Sequence, residues 1–394
     1  MKTINKFDFN NKKAIVRVDF NVPIEKENVT DNSRILAAKT TIDKIISDGG
    51  SCILMSHLGR PKGVSPEFSL KHIVYRLEEL LGLSVKFAPD CVGDVALDIT
   101  QSLKPGEVAL LENLRFHPEE KEGDEFFAGQ LAENGDFYVN DAFGTAHRAH
   151  ASTAVIAKFF PVDKSFGKLL QGEIDALSKV MSDPESPLLA IIGGAKVSSK
   201  LAILENLVDK VDRLMIGGGM AYTFVLAQGG SVGNSLVEED MVDRALDILK
   251  KAEDKGVEVY LPLDSVVADN FSADANAQNC PTAEIPDGWM GLDIGSESAE
   301  RFAEAVRTSK TVLWNGPMGV FEFEKFSNGT FTVARALVEA TERGGFTLIG
   351  GGDSVAAINA TKLADEVSYV STGGGAMLEY LEGKELPGIA AMAE

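Results

Sequence analysis

Short, unbroken apolar runs recur along this chain, and most are followed by a segment with helical spacing. Ala14–Val18, Cys52–Ser56, Val108–Leu111 and Phe137–Asn140 form a first series of such runs. Leu188–Ile192, Arg213–Ile216, Val257–Leu261, Thr311–Trp314 and Phe346–Ile349 form a second. An amphipathic antiparallel strand alternates apolar and polar residues. A run without alternation belongs to a strand buried on both faces, the signature of parallel sheets covered by helices on each side. The intervening helices have the matching pattern: Leu70, Ile73, Val74, Leu77, Leu80 and Leu81 recur at i, i+3, i+4 and i+7. The predicted fold class is therefore α/β, with two doubly wound parallel-sheet domains. At 394 residues the chain is long enough for both.

The predicted boundaries are 1–165 for the first domain, 166–182 for a connecting helix and 183–372 for the second domain. No low-complexity linker or short internal repeat interrupts this plan.

Charge separates the two halves. The chain carries a formal net charge of −21, which disfavours nucleic acid and anionic membranes as partners. Residues 1–165 hold 20 Lys and Arg against 24 Asp and Glu, whereas the remainder holds 18 against 35. A site for a small anion is therefore expected in the first half. Four of its six arginines stand in segments that read as loops: Arg34, Arg60, Arg115 and Arg148. The guanidinium fork pairs with phosphate and carboxylate and never loses its charge. His57, His147 and His150 lie beside these arginines, and Asp19 and Asn21 follow the first strand. Taken singly, each arginine reads better as a surface charge or structural ion pair, and each histidine as a structural residue. The argument rests on their grouping within an acidic chain.

The second half offers glycine turns directly after strands: Gly193-Gly194, Gly217-Gly218-Gly219 and Gly350-Gly351-Gly352. A helix start behind such a turn presents backbone N–H groups to a phosphate. Lys196 and Lys200 are four apart, which predicts one helix face near its N-terminus. Asp353 stands at the last turn, where a carboxylate beside phosphates suits Mg²⁺, and Ser354 is placed to cap the next helix. No GxxxxGK[ST] occurs, so this is not a P-loop. AHRAH is not HRD and no DFG follows, which excludes the protein-kinase pattern. The glycine turns also lack GxGxxG with a downstream acid, which weighs against a nicotinamide dehydrogenase.

Cys52, Cys91 and Cys280 are odd in number and widely spaced, fitting neither a disulfide framework nor a CxxC metal site. No apolar signal region opens the chain and no run approaches the ~20 apolar residues of a membrane helix. A cytoplasmic protein is expected.

Nine segments together resemble the phosphoglycerate kinases, in the family's order along almost the whole chain: RVDFNVP (17–23), SHLGRP (56–61), LENLRFHPEE (111–120), NDAFGTAHRAHAS (140–152), GGAKVSSK (193–200), GGGMAYTF (217–224), WMGLDIG (289–295), WNGPMGVFE (314–322) and GGGDS (350–354). The resemblance implies two domains facing a cleft, with residues 373–394 returning to pack on the first. It implies that 3-phosphoglycerate or 1,3-bisphosphoglycerate binds at Asp19, Asn21, Arg34, His57, Arg60, Arg115 and Arg148. ATP or ADP with Mg²⁺ would bind at Lys196, Lys200, Gly291, Asn315, Glu322, Gly351, Gly352, Asp353 and Ser354. Within that set Glu322 would hold the ribose and Asp353 the metal. Arg34, Lys196 and the N–H groups of Gly351 and Gly352 would attend the transferring phosphoryl. The family's pattern has an acidic residue just before the last lysine of its lysine motif, and here that position is Ser199. A monomer is the expectation from the same resemblance.

Overall fold

The computed structural model describes residues 3–393. The chain divides into two compact units, Met1–Ile174 with Glu385–Glu394, and Asp175–Lys384. Among the described residues no helix is long and apolar enough to cross a membrane.

The first unit is built on six strands: β1 (Lys13–Arg17), β2 (Ser51–Met55), β3 (Val85–Ala88), β4 (Val108–Leu111), β5 (Phe137–Asn140) and β6 (Lys164–Phe166). Their order is β3-β4-β2-β1-β5-β6, and each neighbouring pair is parallel. β2 and β4 are buried at every position, as their unbroken apolar sequences require. Helices α1 (Ser33–Ser47) and α2 (Lys71–Leu81) contribute Ile35, Ile42, Ile73 and Leu77 to a core shared with Val16, Leu54, Leu110 and Val139. Each such side chain contributes roughly 1.5–3 kcal/mol on full burial. α2 ends at Gly82, whose φ of 70° stops the helix in the left-handed region.

The second unit contains β7 (Leu188–Ile192), β8 (Arg213–Ile216), β9 (Glu258–Tyr260), β10 (Asp264–Ala268), β11 (Ala277–Pro281), β12 (Met290–Ile294), β13 (Thr311–Asn315), β14 (Phe346–Ile349) and β15 (Tyr369–Val370). Six of them form a parallel sheet in the order β9-β8-β7-β13-β14-β15. Counted along the chain this is 3-2-1-4-5-6, the doubly wound order in which ligands bind beyond the strand ends where the order reverses. That reversal lies between β7 and β13. In the first unit the corresponding break lies between β1 and β5. Two glycine turns therefore project from the reversal point of one sheet, and RVDFNVP leaves that of the other.

Interior strands match the sequence reading to within a residue. The edge strands β3, β6 and β15 were not foreseen, because short edges of mixed polarity lack an unbroken apolar run. A three-stranded antiparallel sheet, β11-β10-β12, was also unforeseen. AQNCP of β11 is mostly exposed and gains its conformation from pairing with β10.

The connecting helix is α3 (Lys168–Met181), and the division between units falls inside it. The chain continues through α4 (Leu201–Leu207), α5 (Met220–Ala227), α6 (Ser296–Arg307), α7 (Asn328–Glu342) and α8 (Gly352–Thr361) to α9 (Gly375–Leu381) and α10 (Pro387–Ala393). The sequence reading began the return to the first unit at residue 373. In the structure α9 stays with the second unit, packed on α4, and the return begins at Glu385. There α10 is held by Asn140 Nδ2 donating to Gly388 O at 3.1 Å and Lys164 Nζ donating to Ala391 O at 3.1 Å.

Candidate active site

β1 delivers a charge into the interior of the first unit. Arg17, its last residue, is fully buried. Arg17 Nε donates to Ser152 Oγ at 2.8 Å, Nη1 to Val18 O at 2.5 Å, and Nη2 lies 3.1 Å from His57 Nδ1. Ser152 in turn donates twice to the buried carboxylate of Glu120, from its N at 2.9 Å and its Oγ at 2.5 Å. A buried cation is tolerated only with such compensation. Burial drives the His57 pKa well below its ordinary value, and the charges of Arg17, Arg115 and Arg34 add to the effect. His57 is therefore neutral, its Nδ1 accepting from Arg17 and its Nε2 carrying the proton.

Near this pair Asp19, Asn21, Arg34 and Arg115 are linked through Gly59. Arg34 Nη1 donates to Asp19 Oδ2 at 3.1 Å and to Asn21 O at 3.0 Å. Asn21 Oδ1 accepts from Gly59 N at 2.8 Å, and Arg115 Nη1 donates to Gly59 O at 2.7 Å. Arg115 Nε is buried without a partner. Burial lowers the Arg115 pKa first, and Arg17 and Arg60 lower it further against Glu120 and Asp19. His150 is pushed down to about 4 by burial and then by Arg115, Arg17 and Arg148. Arg60 and Arg148 are exposed, and among the described residues their guanidinium groups make no hydrogen bond or ion pair. The set has more positive charge and more donors than its own carboxylates satisfy, so its natural occupant is a small polyanion. Arg17 was missed by sequence reasoning. Its signal was a charge set inside an otherwise apolar strand run.

In the second unit the turns after β7 and β13 touch. A Cβ at Gly193 would stand 2.1 Å from Pro317 O, so no other residue fits. Beside this contact opens a cavity of about 500 Å³. Gly218 and Gly219 give it flat backbone walls, Leu236, Leu292 and Val320 give it apolar surface, and Glu322 and Asp353 supply acidic groups. Gly291 of β12 also lines it, with its N–H donated to Ser235 Oγ at 2.8 Å. A flat apolar slot with acids at its edges suits a purine nucleoside with a phosphate tail.

The lysines depart from expectation. α4 begins only at Leu201, with Lys200 as its N-cap. Lys196 lies in the preceding turn and is exposed, so the two do not share a helix face. The turn is held by Ser198, which donates from N and Oγ to Glu238 at 3.0 and 2.5 Å. Ser199 Oγ donates to Lys196 O at 2.8 Å, so the residue at the departure from the family's pattern closes the turn locally. Lys200 Nζ donates to Asn315 Oδ1 at 2.5 Å, and Asn315 Nδ2 donates to Gly350 O at 2.7 Å. Burial lowers the Lys200 pKa, while the carboxylates of Asp353 and Glu382 oppose it.

Ser354 does not cap α8. Its buried Oγ accepts from Gly316 N at 2.5 Å and ties the turns after β13 and β14 together. Gly351 and Gly352 open α8, and Asp353 stands in its first turn, where the helix dipole favours a carboxylate. Among the described residues the Asp353 carboxylate makes no hydrogen bond or ion pair. A free carboxylate on a cavity wall near a lysine and a helix N-terminus fits the one-carboxylate-plus-phosphate ligation of Mg²⁺.

The family model described as phosphoglycerate kinase matches residues 4–384. The chain is similar to a phosphoglycerate kinase of Porphyromonas gingivalis, 54% identical over 99% of each chain. It is also similar to a cytosolic phosphoglycerate kinase of Triticum aestivum, 53% identical over 100% of this chain and 98% of the relative. The solved phosphoglycerate kinase of Coxiella burnetii superposes with a TM-score of 0.92 at 40% identity, covering 100% of this chain and 98% of that one. The chain belongs to the phosphoglycerate kinase family and is a glycolytic kinase that transfers phosphate between 3-phosphoglycerate and ATP.

Proposed function

We propose that the acid substrate binds the cationic set of the first unit and the nucleotide binds the cavity of the second. The observation that carries this reading is the excess of unpaired donors around Arg115 in one unit, set against an acid-edged apolar slot in the other. Asp19, Asn21, His57, Arg60, Arg115 and Arg148 hold the acid and its phosphate. Glu322 holds the ribose hydroxyls, Gly291 lies against the base, and Asn315 and Lys200 face the phosphates. Ser354 offers its backbone N–H and the proton of its hydroxyl, whose oxygen accepts from Gly316 N.

The acceptor is the substrate's own carboxylate, ionised near neutral pH with a reference pKa of roughly 3.5, so no general base is required. Catalysis is then a matter of positioning and charge neutralisation during in-line transfer. Arg34 and Lys196 neutralise the transferring group, helped by the N–H groups of Gly351 and Gly352. Lys196 is suited to this because it is exposed and its long side chain has the reach to follow the group. Mg²⁺, when bound at Asp353, supplies charge on the nucleotide phosphates. Substrates carried on separate units must meet, so the catalytic cycle includes a hinge closure that excludes water. The enzyme works as a cytoplasmic monomer.

Phosphoryl transfer from Mg-ATP to 3-phosphoglycerate, followed through a coupled dehydrogenase, tests the assignment. Arg115→Ala should raise KM for the acid without altering ADP affinity, and Glu322→Ala should do the reverse. Equal loss toward both ligands in either variant would refute the division of labour. Scattering profiles that are unchanged with both ligands present would refute closure.

A further inference from the structure

The loop after β3 meets the turn after β4 at three side chains that neither substrate site uses. Asp90, Cys91 and His117 each offer one ligand atom, and these atoms lie within 4.8 Å of one another. His117 Nε2 is 2.7 Å from Asp90 Oδ1. The Asp90 and His117 side chains are 45% and 29% exposed, while Cys91 is buried behind them. Solvent therefore reaches the group from the carboxylate side, and the thiol closes its rear. Glu119 lies within electrostatic reach of His117, and its Oε2 is buried without a partner.

We propose that Asp90, Cys91 and His117 form a site for a divalent transition metal ion of the zinc class. Imidazole nitrogen, thiolate sulfur and carboxylate oxygen are the zinc donor set, and the sulfur discriminates against magnesium and calcium. Bond lengths of about 2.0–2.3 Å place tetrahedral donors roughly 3–4 Å apart. The His117–Asp90 contact need only open by less than about 1 Å, and the thiol close in, which side-chain motion provides. Cys91-SH releases its proton to solvent on coordination, and no redox change is involved. Three protein ligands leave a fourth position for water or for Glu119. The backbone on both sides is anchored: Asn134 Nδ2 donates to Cys91 O at 3.3 Å, and His117 N donates to Leu114 O at 3.2 Å. An ion here would link residues 89–93 to the segment that carries Arg115 and Glu120.

The test uses the full-length protein, stripped by chelator and supplied with Mg²⁺ and ADP to occupy the nucleotide site. Titration with Co²⁺ should give a thiolate-to-cobalt charge-transfer band with tetrahedral visible bands, saturating at one equivalent and bleached by Zn²⁺. Cys91→Ser should abolish the charge-transfer band, and His117→Gln should weaken Co²⁺ binding on the order of tenfold or more. Zn²⁺ should raise the Tm of the wild type and not of Cys91→Ser. The absence of the band, its survival in Cys91→Ser, or an unchanged wild-type Tm would each overturn the proposal. Should Cys91→Ser fail to fold, the half-exposed Asp90→Asn replaces it and must weaken Co²⁺ binding by the same order; unaltered affinity there would equally overturn the site.

Discussion

Gly193→Ala isolates the contact that shapes the cavity of the second unit. The added Cβ would lie 2.1 Å from Pro317 O and 2.5 Å from Gly316 O. Both are backbone atoms, so no rotamer change relieves the overlap. To restore an ordinary contact the facing turn must retreat by about 1.3 Å, an overpacking that costs roughly 1–3 kcal/mol. Tm should fall by roughly 2–4 °C per kcal/mol for a unit of this size. The same retreat moves Asn315 and Gly316, and with them the grip on Lys200 and Ser354. A positioning error near 1 Å typically costs on the order of 100-fold in rate. Turnover should therefore drop by about that factor, and ADP affinity, measured by calorimetry, should fall with it. Gly194→Ala is the control. Its φ of 117° makes alanine strained, at about 1–3 kcal/mol, but its Cβ would meet only Lys200 Cε at 3.9 Å. It should lose stability with a smaller change in ADP affinity. A Gly193→Ala enzyme with wild-type Tm, affinity and turnover would show that the turn yields freely, and that close approach of β7 and β13 does not set the site.

Arg34→Ala should lower turnover by about 100- to 1000-fold with a modest effect on KM, because it removes charge stabilisation that grows in the transition state; steady-state kinetics in 3-phosphoglycerate would read both. Asp353→Asn should leave ADP binding without metal nearly intact and erase most of the gain in affinity that Mg²⁺ confers, read by calorimetry with and without the ion. Asp141 gives a pH dependence. It accepts from Leu169 N and Leu170 N at the start of α3, at 2.9 and 3.1 Å, and burial pushes its pKa up to about 7. A carboxyl whose folded pKa exceeds its unfolded value binds its proton more readily when folded. Its stabilisation is full below about pH 4 and is lost as pH rises through about 7. Asp141→Asn keeps an oxygen for both N–H groups and cannot ionise. Its stability relative to wild type, measured by denaturant unfolding, should rise from pH 4 to pH 7 and then level off; a flat difference would refute the linkage.

Much of this protein was legible in one dimension because its layers are buried on both faces. Burial of β2, β4, β7 and β14 demands unbroken apolar runs, and such runs are visible without knowing what they pack against. Glycine turns after strands are equally visible, since close approach of backbone to backbone excludes every side chain. Grouped arginines in an acidic chain pointed to the cationic set of the first unit for a similar reason: charge is a property of the residue and needs no partner to be counted. Tertiary structure alone decided the rest. The order of strands, and so the reversal point that gathers Gly193, Asn315 and Ser354, depends on pairings between distant segments. Strand β11 exists only because β10 lies beside it. Lys200 became an N-cap, and Lys196 an exposed turn residue, because Ser198 found Glu238 forty residues away. Arg17 could be buried because Ser152 and Glu120, remote in sequence, come to meet it. Periodicity and residue type report what a segment must bury. Only the folded chain determines which partner receives it, because that choice is made by contacts whose sequence separation carries no local signal.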